Sequence, residues 1–176
     1  MSIYSLDQAT PQIDPTAFIA PNAIVIGRAR VGKNSSVWFN SVIRADFETI
    51  TIGDDTNIQD LTMCHADEGK PLTIGNRVTV GHNCVVHGCT IEDDCLIGMG
   101  VVVMNGAIIR KGSIIAAGSV ILENTDIPEK SLVAGAPGKI KRSLDEGVID
   151  LMASMADIYT NRSHAYKDPA RFVRLG

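Results

Sequence analysis

The chain has 176 residues, 45% of them hydrophobic and 20% charged, which is enough apolar material for one folded domain. Sixteen Lys and Arg residues against 20 Asp and Glu residues give a net charge of -4, and no basic run is present, so nucleic acid is not an expected partner. No apolar run approaches the roughly 20 residues of a membrane span, and residues 1–15 lack the basic and apolar character of a signal peptide, so we expect a cytoplasmic protein without membrane contact.

An aliphatic residue recurs every six positions along most of the chain, and Cys64 takes its place in one hexad. The series begins at Ile13, slips by a few residues after Ile43, is interrupted again after Cys64, and then continues from Ile74 to Val133. A period of six fits neither an α-helix nor a hairpin meander, whereas three hexads close a triangular coil whose strands stack about 4.8 Å apart. The repeat therefore predicts an all-β fold, a parallel β-helix over residues 1–139.

Glycine follows the aliphatic residue at several corners, including Gly32, Gly53 and Gly75, where the backbone must turn without a Cβ. After the repeat, Ser143 and Glu146 have the spacing of a capping box. Apolar residues then follow at helical spacing: Leu144, Val148, Leu151, Met152, Met155, Ile158 and Tyr159. We predict that residues 140–176 form an amphipathic helix and a tail packed on the prism.

Three of the four histidines fall within residues 65–87. His65 and His87 hold the same position in successive coils, so we expect them to stack one strand spacing apart and to share an ion. His82 follows Val80 on another face and cannot easily reach them within one chain. A tetrahedral zinc ion needs its three imidazole nitrogens about 2.0–2.1 Å away. A second copy must then supply His82, and a closed ring of such contacts predicts a homotrimer with sites shared between subunits. The alternative is that these are unconnected surface histidines.

The same residues resemble the γ-class carbonic anhydrase family, in its branch of short bacterial and archaeal members. The resemblance is carried by Arg44-Ala45-Asp46, by Asn57-Ile58-Gln59-Asp60, by the spacing of the three histidines and by Gly98-Met99-Gly100. It implies that the β-helix is left-handed and that the protein converts CO2 to bicarbonate reversibly. The metal ligands that it implies, for Zn2+ or else Fe2+ or Co2+, are His65, His82 and His87.

The resemblance also implies roles for residues around the metal. Gln59 is expected near the metal-bound water, Tyr159 and Asn161 in the pocket, and Glu68 as the counterpart of a proton-shuttle glutamate. The polar cluster that it implies between subunits consists of Arg44, Asp46, Asp60 and Asn57. No organic cofactor is expected.

Three imidazoles and one open position lower the pKa of the metal's water ligand to about 7, so hydroxide that attacks CO2 is available at neutral pH. Phe47 stands where the best-characterised form of the family has a glutamate, and residues 66–71 form only a short loop that contains Glu68. Because hydration must release a proton to buffer, we predict a weak, buffer-dependent carbonic anhydrase.

Four cysteines are too few for a disulfide framework. Cys64, Cys84 and Cys95 occupy inward positions and should be inert, whereas Cys89 lies near the slip in the repeat after His87 and leaves a metal or redox role open. Two alternative functions stay open as well. One is a hexapeptide-repeat acyltransferase, since residues 133–139 resemble the end of that family's coils, and the other is a non-catalytic trimer whose metal serves assembly.

Overall fold

A computed structural model describes residues 2–175 and shows a triangular β-helix of about seven turns followed by one helix, α1 (Gly147–Lys167). This confirms the expected fold class. Within residues 2–175, no helix has the length and apolar character needed to cross a bilayer.

Within the described residues, 20 short strands form two sheets, and all of them pair in parallel except the last, which pairs antiparallel. The first sheet covers one face of the prism and contains β3 (Phe18–Ile19), β5 (Ser36–Val37), β7 (Asn57–Ile58), β10 (Thr79–Val80), β13 (Leu96–Ile97), β16 (Ile114–Ile115), β19 (Ser131–Ala134) and β20 (Lys139–Ser143).

The second sheet covers the other two faces, because β4 (Ile24–Val31) and β6 (Val42–Ile52) continue from one face to the next. One face holds the first part of β6 with β8 (Met63–His65), β11 (Val85–His87), β14 (Val102–Val103) and β17 (Val120–Ile121), and we refer to it as the histidine face. The remaining strands are β1 (Ser2–Tyr4), β2 (Gln12–Ile13), β9 (Leu72–Ile74), β12 (Thr90–Ile91), β15 (Ile108–Ile109) and β18 (Asp126–Ile127).

The aliphatic residues of the six-residue repeat form the core. Ile43, Ile58, Val80 and Ile109 are fully buried, and complete burial of such a side chain contributes about 1.5–3 kcal/mol. Small residues four positions after the aliphatic residue, such as Ala23, Ser35 and Ser41, are buried too. The hydroxyl of Ser35 donates to the carbonyl oxygen of Gly53 in the next coil at 2.6 Å. The six-residue period therefore specified both what is buried and how the coils stack.

The predicted corner glycines are needed for close stacking. A Cβ placed on Gly53 would lie 2.6 Å from the carbonyl oxygen of Gly75, and one on Gly32 would lie 2.6 Å from Gly53. Real Cβ atoms do not approach backbone so closely, so a side chain here would force neighbouring coils apart.

The slip after Ile43 is a bulge inside β6. Gly27 pairs with Ala45 and Ala29 with Ile50, so residues 46–49 are all opposed by Arg28 alone. The Arg28 guanidinium donates to the carbonyl oxygens of Asp46, at 3.0 Å, and of Phe47. The bulge thus places Asp46 and Phe47 on the outside, at the end of the histidine face.

The end of the chain differs from the prediction. Ser143 is the last residue of β20, and α1 begins only at Gly147 without a side-chain cap from Glu146, so the predicted capping box is wrong. Asp145 instead accepts a hydrogen bond from the backbone N–H of Gly147 at 3.0 Å. The strand β20 was not foreseen, because its pairing partner β19 lies across a turn that the repeat does not describe.

The helix α1 packs on β3, β5, β7 and β10. Its buried residues are Val148, Met152, Ala156 and Ser163. Leu151 and Ile158, which we assigned to the packed stripe, are exposed. The actual stripe ends in Tyr159 and Tyr166, whose rings lie 5.7 and 5.1 Å from Trp38 on the sheet below.

Candidate metal centre

The predicted stacking of His65 and His87 is confirmed. The strands β8 and β11 pair in parallel with His65 opposite His87, and Arg44 of β6 lies opposite His65 on the other side. The Nδ1 atom of His65 and the Nε2 atom of His87 face each other at 2.8 Å. Two imidazole nitrogens therefore point into one place at the edge of the histidine face.

An acceptor holds the other ring nitrogen of each histidine. The Nε2 atom of His65 lies 3.0 Å from Oδ1 of Asp46, and the Nδ1 atom of His87 lies 2.8 Å from Oδ1 of Asn105. Such outer partners are typical of metal-binding histidines, because they fix the ring orientation and leave the inner nitrogen free for a cation.

Asp46 is held as a carboxylate. Partial burial works against its ionisation, but hydrogen bonds from Arg44 and His65 outweigh this effect and lower the pKa of Asp46. A charged Asp46 is a stronger acceptor for the N–H of His65 than a neutral carboxyl group would be.

Asn105 and Asp67 complete this part of the site, and neither was predicted from the sequence. The Nδ2 atom of Asn105 donates to Oδ2 of Asp67 at 3.0 Å, and Oδ1 of Asp67 lies 3.9 Å from Nε2 of His87. Asn105 follows His87 by one 18-residue coil, which is a signal that could have found it. No comparable repeat position marks Asp67, which lies in the loop after β8.

Gly88 makes room for this arrangement. Its backbone has a φ of +48°, and a Cβ placed on it would lie only 2.1 Å from Oδ1 of Asn105. The glycine therefore allows the Asn105 amide to reach His87.

The donor set suits a divalent cation. Ligand atoms of His65, Asp67 and His87 all lie within 4.8 Å of one another, and within residues 2–175 no other group of three His, Cys, Asp or Glu side chains converges in this way. A tetrahedral zinc ion separates two ligand nitrogens by about 3.4 Å. The observed 2.8 Å between the facing nitrogens needs only a small outward rotation of the rings.

His82 lies at another corner, outside this donor set. Its Nδ1 atom is 2.8 Å from Oδ2 of Asp60, which lies one coil below as expected. The other oxygen of Asp60 accepts the backbone N–H of Phe39 at 3.1 Å. His82 is partly exposed, and its ring is oriented by a carboxylate just as the ring of His65 is.

Gln59, Asn57 and Tyr159 surround the same corner as His82. The buried Gln59 donates from Nε2 to Oδ1 of Asn57 at 3.0 Å, and Asn57 donates to Oγ1 of Thr79 at 2.9 Å. Burial raises the pKa of the Tyr159 phenol, and the charge of Asp60 adds to this effect, while a hydrogen bond with Gln59 opposes it. The structure thus brings Tyr159 to Gln59 and Asp60.

The remaining candidates lie apart from these contacts. Glu68 is exposed in the loop, and the carboxylate of this loop that faces His87 belongs to Asp67. Asn161 is exposed on α1. Phe47 is 58% exposed, with its ring 5.9 Å from that of His65.

The four cysteines are free thiols inside the prism. Burial raises the pKa of Cys89 to about 12, as it does for Cys95, and Cys89 is absent from the donor set. A neutral buried thiol is a poor metal ligand and a poor nucleophile.

Comparison with known proteins agrees with the fold. Residues 88–123 match the family model "Bacterial transferase hexapeptide (six repeats)". A solved structure of a hexapeptide transferase family protein from Anaplasma phagocytophilum superposes with a TM-score of 0.90 at 38% identity, covering 94% of this chain and 98% of the other.

Two curated relatives carry a more specific name. Gamma carbonic anhydrase 2, mitochondrial, of Arabidopsis thaliana is 40% identical over 94% of this chain, which spans 63% of that protein's length. A Methanocaldococcus jannaschii protein named "Probable carbonic anhydrase" is 43% identical, and the match covers 82% of this chain and 91% of that protein. The chain therefore belongs to the gamma carbonic anhydrase family of hexapeptide-repeat proteins.

Proposed function

We propose that the protein is a homotrimeric carbonic anhydrase that hydrates CO2 to bicarbonate at a Zn2+ site shared between copies. His65 and His87 of one chain and His82 of the neighbouring copy would hold the cation. The observation that carries this proposal is the His65–His87 pair, whose inner nitrogens face each other while Asp46 and Asn105 hold the outer ones.

Each chain carries two halves of a site at different corners. One half contains His65 and His87, and the other contains His82, Gln59 and Tyr159. Because the halves lie apart within a chain, a head-to-tail ring of copies can bring each half against its complement. A ring of three would complete three sites.

The outer surface of the histidine face supports contact with a second copy. In successive coils it presents an unbroken row of apolar side chains in register: Val42, Met63, Val85, Val102 and Val120. The row runs beside Arg44, His65 and His87. A continuous apolar row next to polar groups is typical of a protein interface, and here the occupant that also completes the metal site is another copy.

When bound, the cation would act as a Lewis acid and supply hydroxide at neutral pH. Gln59, fixed by Asn57, would orient the reacting oxygen by hydrogen bonding, and Tyr159 would line the pocket beside it. Phe47, next to His65, offers no group that accepts a proton. Buffer would then carry the proton away, so hydration would be slow at low buffer concentration.

A mixing experiment tests the shared site. Neither His65→Ala nor His82→Ala chains should hydrate CO2 on their own. When the two are co-expressed, a site is intact wherever an unmodified His82 of one chain meets an unmodified His65 of the next. Random assembly makes this about one quarter of all sites, so about one quarter of the wild-type rate should return.

The control for this experiment is His164→Ala, which changes an exposed histidine on α1 and should leave the rate unchanged. Sedimentation equilibrium should give a trimer for every variant. A wild-type monomer at micromolar concentration, or inactive mixed trimers, would contradict the shared site.

Acyl transfer is the second candidate, and the match to the hexapeptide transferase model favours it. An acyltransferase would turn over acetyl coenzyme A whether or not a chelator is present, and would not hydrate CO2. A trimer that binds metal, dissociates when a chelator is added and shows neither activity would indicate a metal that serves assembly.

The free, buried thiols are compatible with a reducing compartment, and we propose that the protein is located in the cytoplasm.

A further inference from the structure

The loop between β8 and β9 brings a carboxylate to the histidine pair. Asp67 is two residues beyond His65, and its Oδ1 atom lies 3.9 Å from Nε2 of His87. Its side chain is 52% exposed, so it can shift without disturbing the core. The ligand atoms of His65, Asp67 and His87 lie within 4.8 Å of one another, and one cation can reach all three after small side-chain movements.

Asn105 orients Asp67 and His87 together. Its amide NH2 group donates to Oδ2 of Asp67 at 3.0 Å, and its carbonyl oxygen lies 2.8 Å from Nδ1 of His87. The opposite amide orientation would place the carbonyl oxygen against the negative carboxylate and is therefore excluded. The Asn105 carbonyl oxygen must then accept a hydrogen bond from the N–H at Nδ1 of His87.

This hydrogen-bond chain leaves two acceptors directed at one place. With its proton on Nδ1, His87 presents the lone pair of Nε2, and Asp67 presents Oδ1. A single bound cation can satisfy both of these acceptors. The inner nitrogen of His65 faces the same place at 2.8 Å from His87.

We propose that Asp67 is itself a metal ligand, so that His65, Asp67 and His87 form a two-histidine, one-carboxylate donor set within a single chain. The inference rests on the metal centre of the proposed function but does not require the trimer. Such a set binds Zn2+ in several hydrolytic enzymes and Fe2+ in oxygenases. Each chain could then load its metal before it meets the neighbouring copy's His82.

The test is a titration of the metal-free full-length protein with Co2+, whose visible absorption reports the number and type of its ligands. Asp67→Asn removes the charge at nearly constant shape. We expect it to weaken Co2+ affinity by at least about tenfold and to change the intensity of the visible bands. Glu68→Gln is the matched control, because it removes the same charge from the next residue of the loop. It should leave affinity within about twofold and the spectrum unchanged, since Glu68 is outside the donor set.

The same substitution made in a His82→Ala chain separates the contribution of Asp67 to metal binding from that of His82. A His82→Ala chain should still bind Co2+, and adding Asp67→Asn to it should reduce binding by at least about a further tenfold. Equal affinity and an identical spectrum for wild type and Asp67→Asn would overturn the inference and leave the shared site standing. A wild-type protein that binds no Co2+ would overturn the metal centre, and the inference with it.

Discussion

Replacing Gly88 by alanine should weaken metal binding through a residue that never touches the metal. Gly88 has a φ of +48°, and its new Cβ would lie 2.1 Å from Oδ1 of Asn105 and 3.1 Å from the carbonyl oxygen of Lys70. The Asn105 side chain must move away, and Nδ1 of His87 loses its acceptor. Loss of such an outer partner costs about 10- to 100-fold in metal affinity, or about 1.4–2.7 kcal/mol of binding free energy.

The control is Gly118→Ala. Gly118 also has a positive φ, +70°, but no heavy atom of residues 2–175 lies within 4 Å of a Cβ built there. Both substitutions place alanine in the left-handed region, which costs about 1–2 kcal/mol of stability. Only Gly88→Ala adds a clash with Asn105.

The assay measures two quantities for each variant. Urea unfolding of the metal-free proteins should show that both variants lose stability, and isothermal titration with Zn2+ should show that only Gly88→Ala loses affinity. If the two variants bind Zn2+ with the same affinity, Asn105 does not position His87. If Gly118→Ala also loses affinity, the effect comes from backbone strain rather than from the side-chain clash.

Three further predictions concern the site, the core and the ion pairs. Phe47→Glu should raise the rate of CO2 hydration at low imidazole concentration, because the exposed ring lies beside His65 and a carboxylate there can relay protons. A wild-type rate that is fast and independent of buffer concentration would contradict this. The four cysteines should resist alkylation at pH 8 until the protein unfolds, because burial raises their pKa values. Rapid labelling of the folded protein would contradict this prediction. Arg77→Ala should cost about 2 kcal/mol in urea unfolding, because it removes the bidentate partner of Asp94, whose side chain is fully buried. The loss stays below that of a fully buried pair because Arg77 is 37% exposed and because Nζ of Lys111 remains 3.5 Å from Oδ2 of Asp94. The matched change Arg110→Ala breaks an exposed pair and should alter stability little; equal losses would show that burial of the carboxylate does not matter.

The fold was accessible from the sequence because a single periodicity determines it. A six-residue period specifies which side chains point inward, and an 18-residue coil then specifies which residues meet in adjacent coils. That is why the stacking of His65 on His87 and of Asp60 near His82 could be predicted.

Features outside the period were not accessible in the same way. The orientation of Asp67 depends on a hydrogen bond across 38 residues to Asn105, and the hexads give no rule for a loop inserted between them. The capping box failed because Ser143 pairs with Ser131 in a strand, and this long-range pairing overrides a local helix signal. The predicted apolar stripe of the helix was partly wrong, because Leu151 and Ile158 have the right spacing but lie outside the sector that the sheet covers.

The antiparallel strand β20 determines whether the stack of coils can continue. A parallel β-helix ends in a row of free backbone groups that would accept another parallel strand, and hence another chain, as its next layer. β20 occupies that row beyond β19 and runs in the opposite direction. Its exposed residues include Lys139, Lys141 and Arg142, which repel an identical edge from a second molecule. The end of this one face is thereby closed to the addition of an identical chain, whereas β17 and β18 remain the last strands of the other two faces.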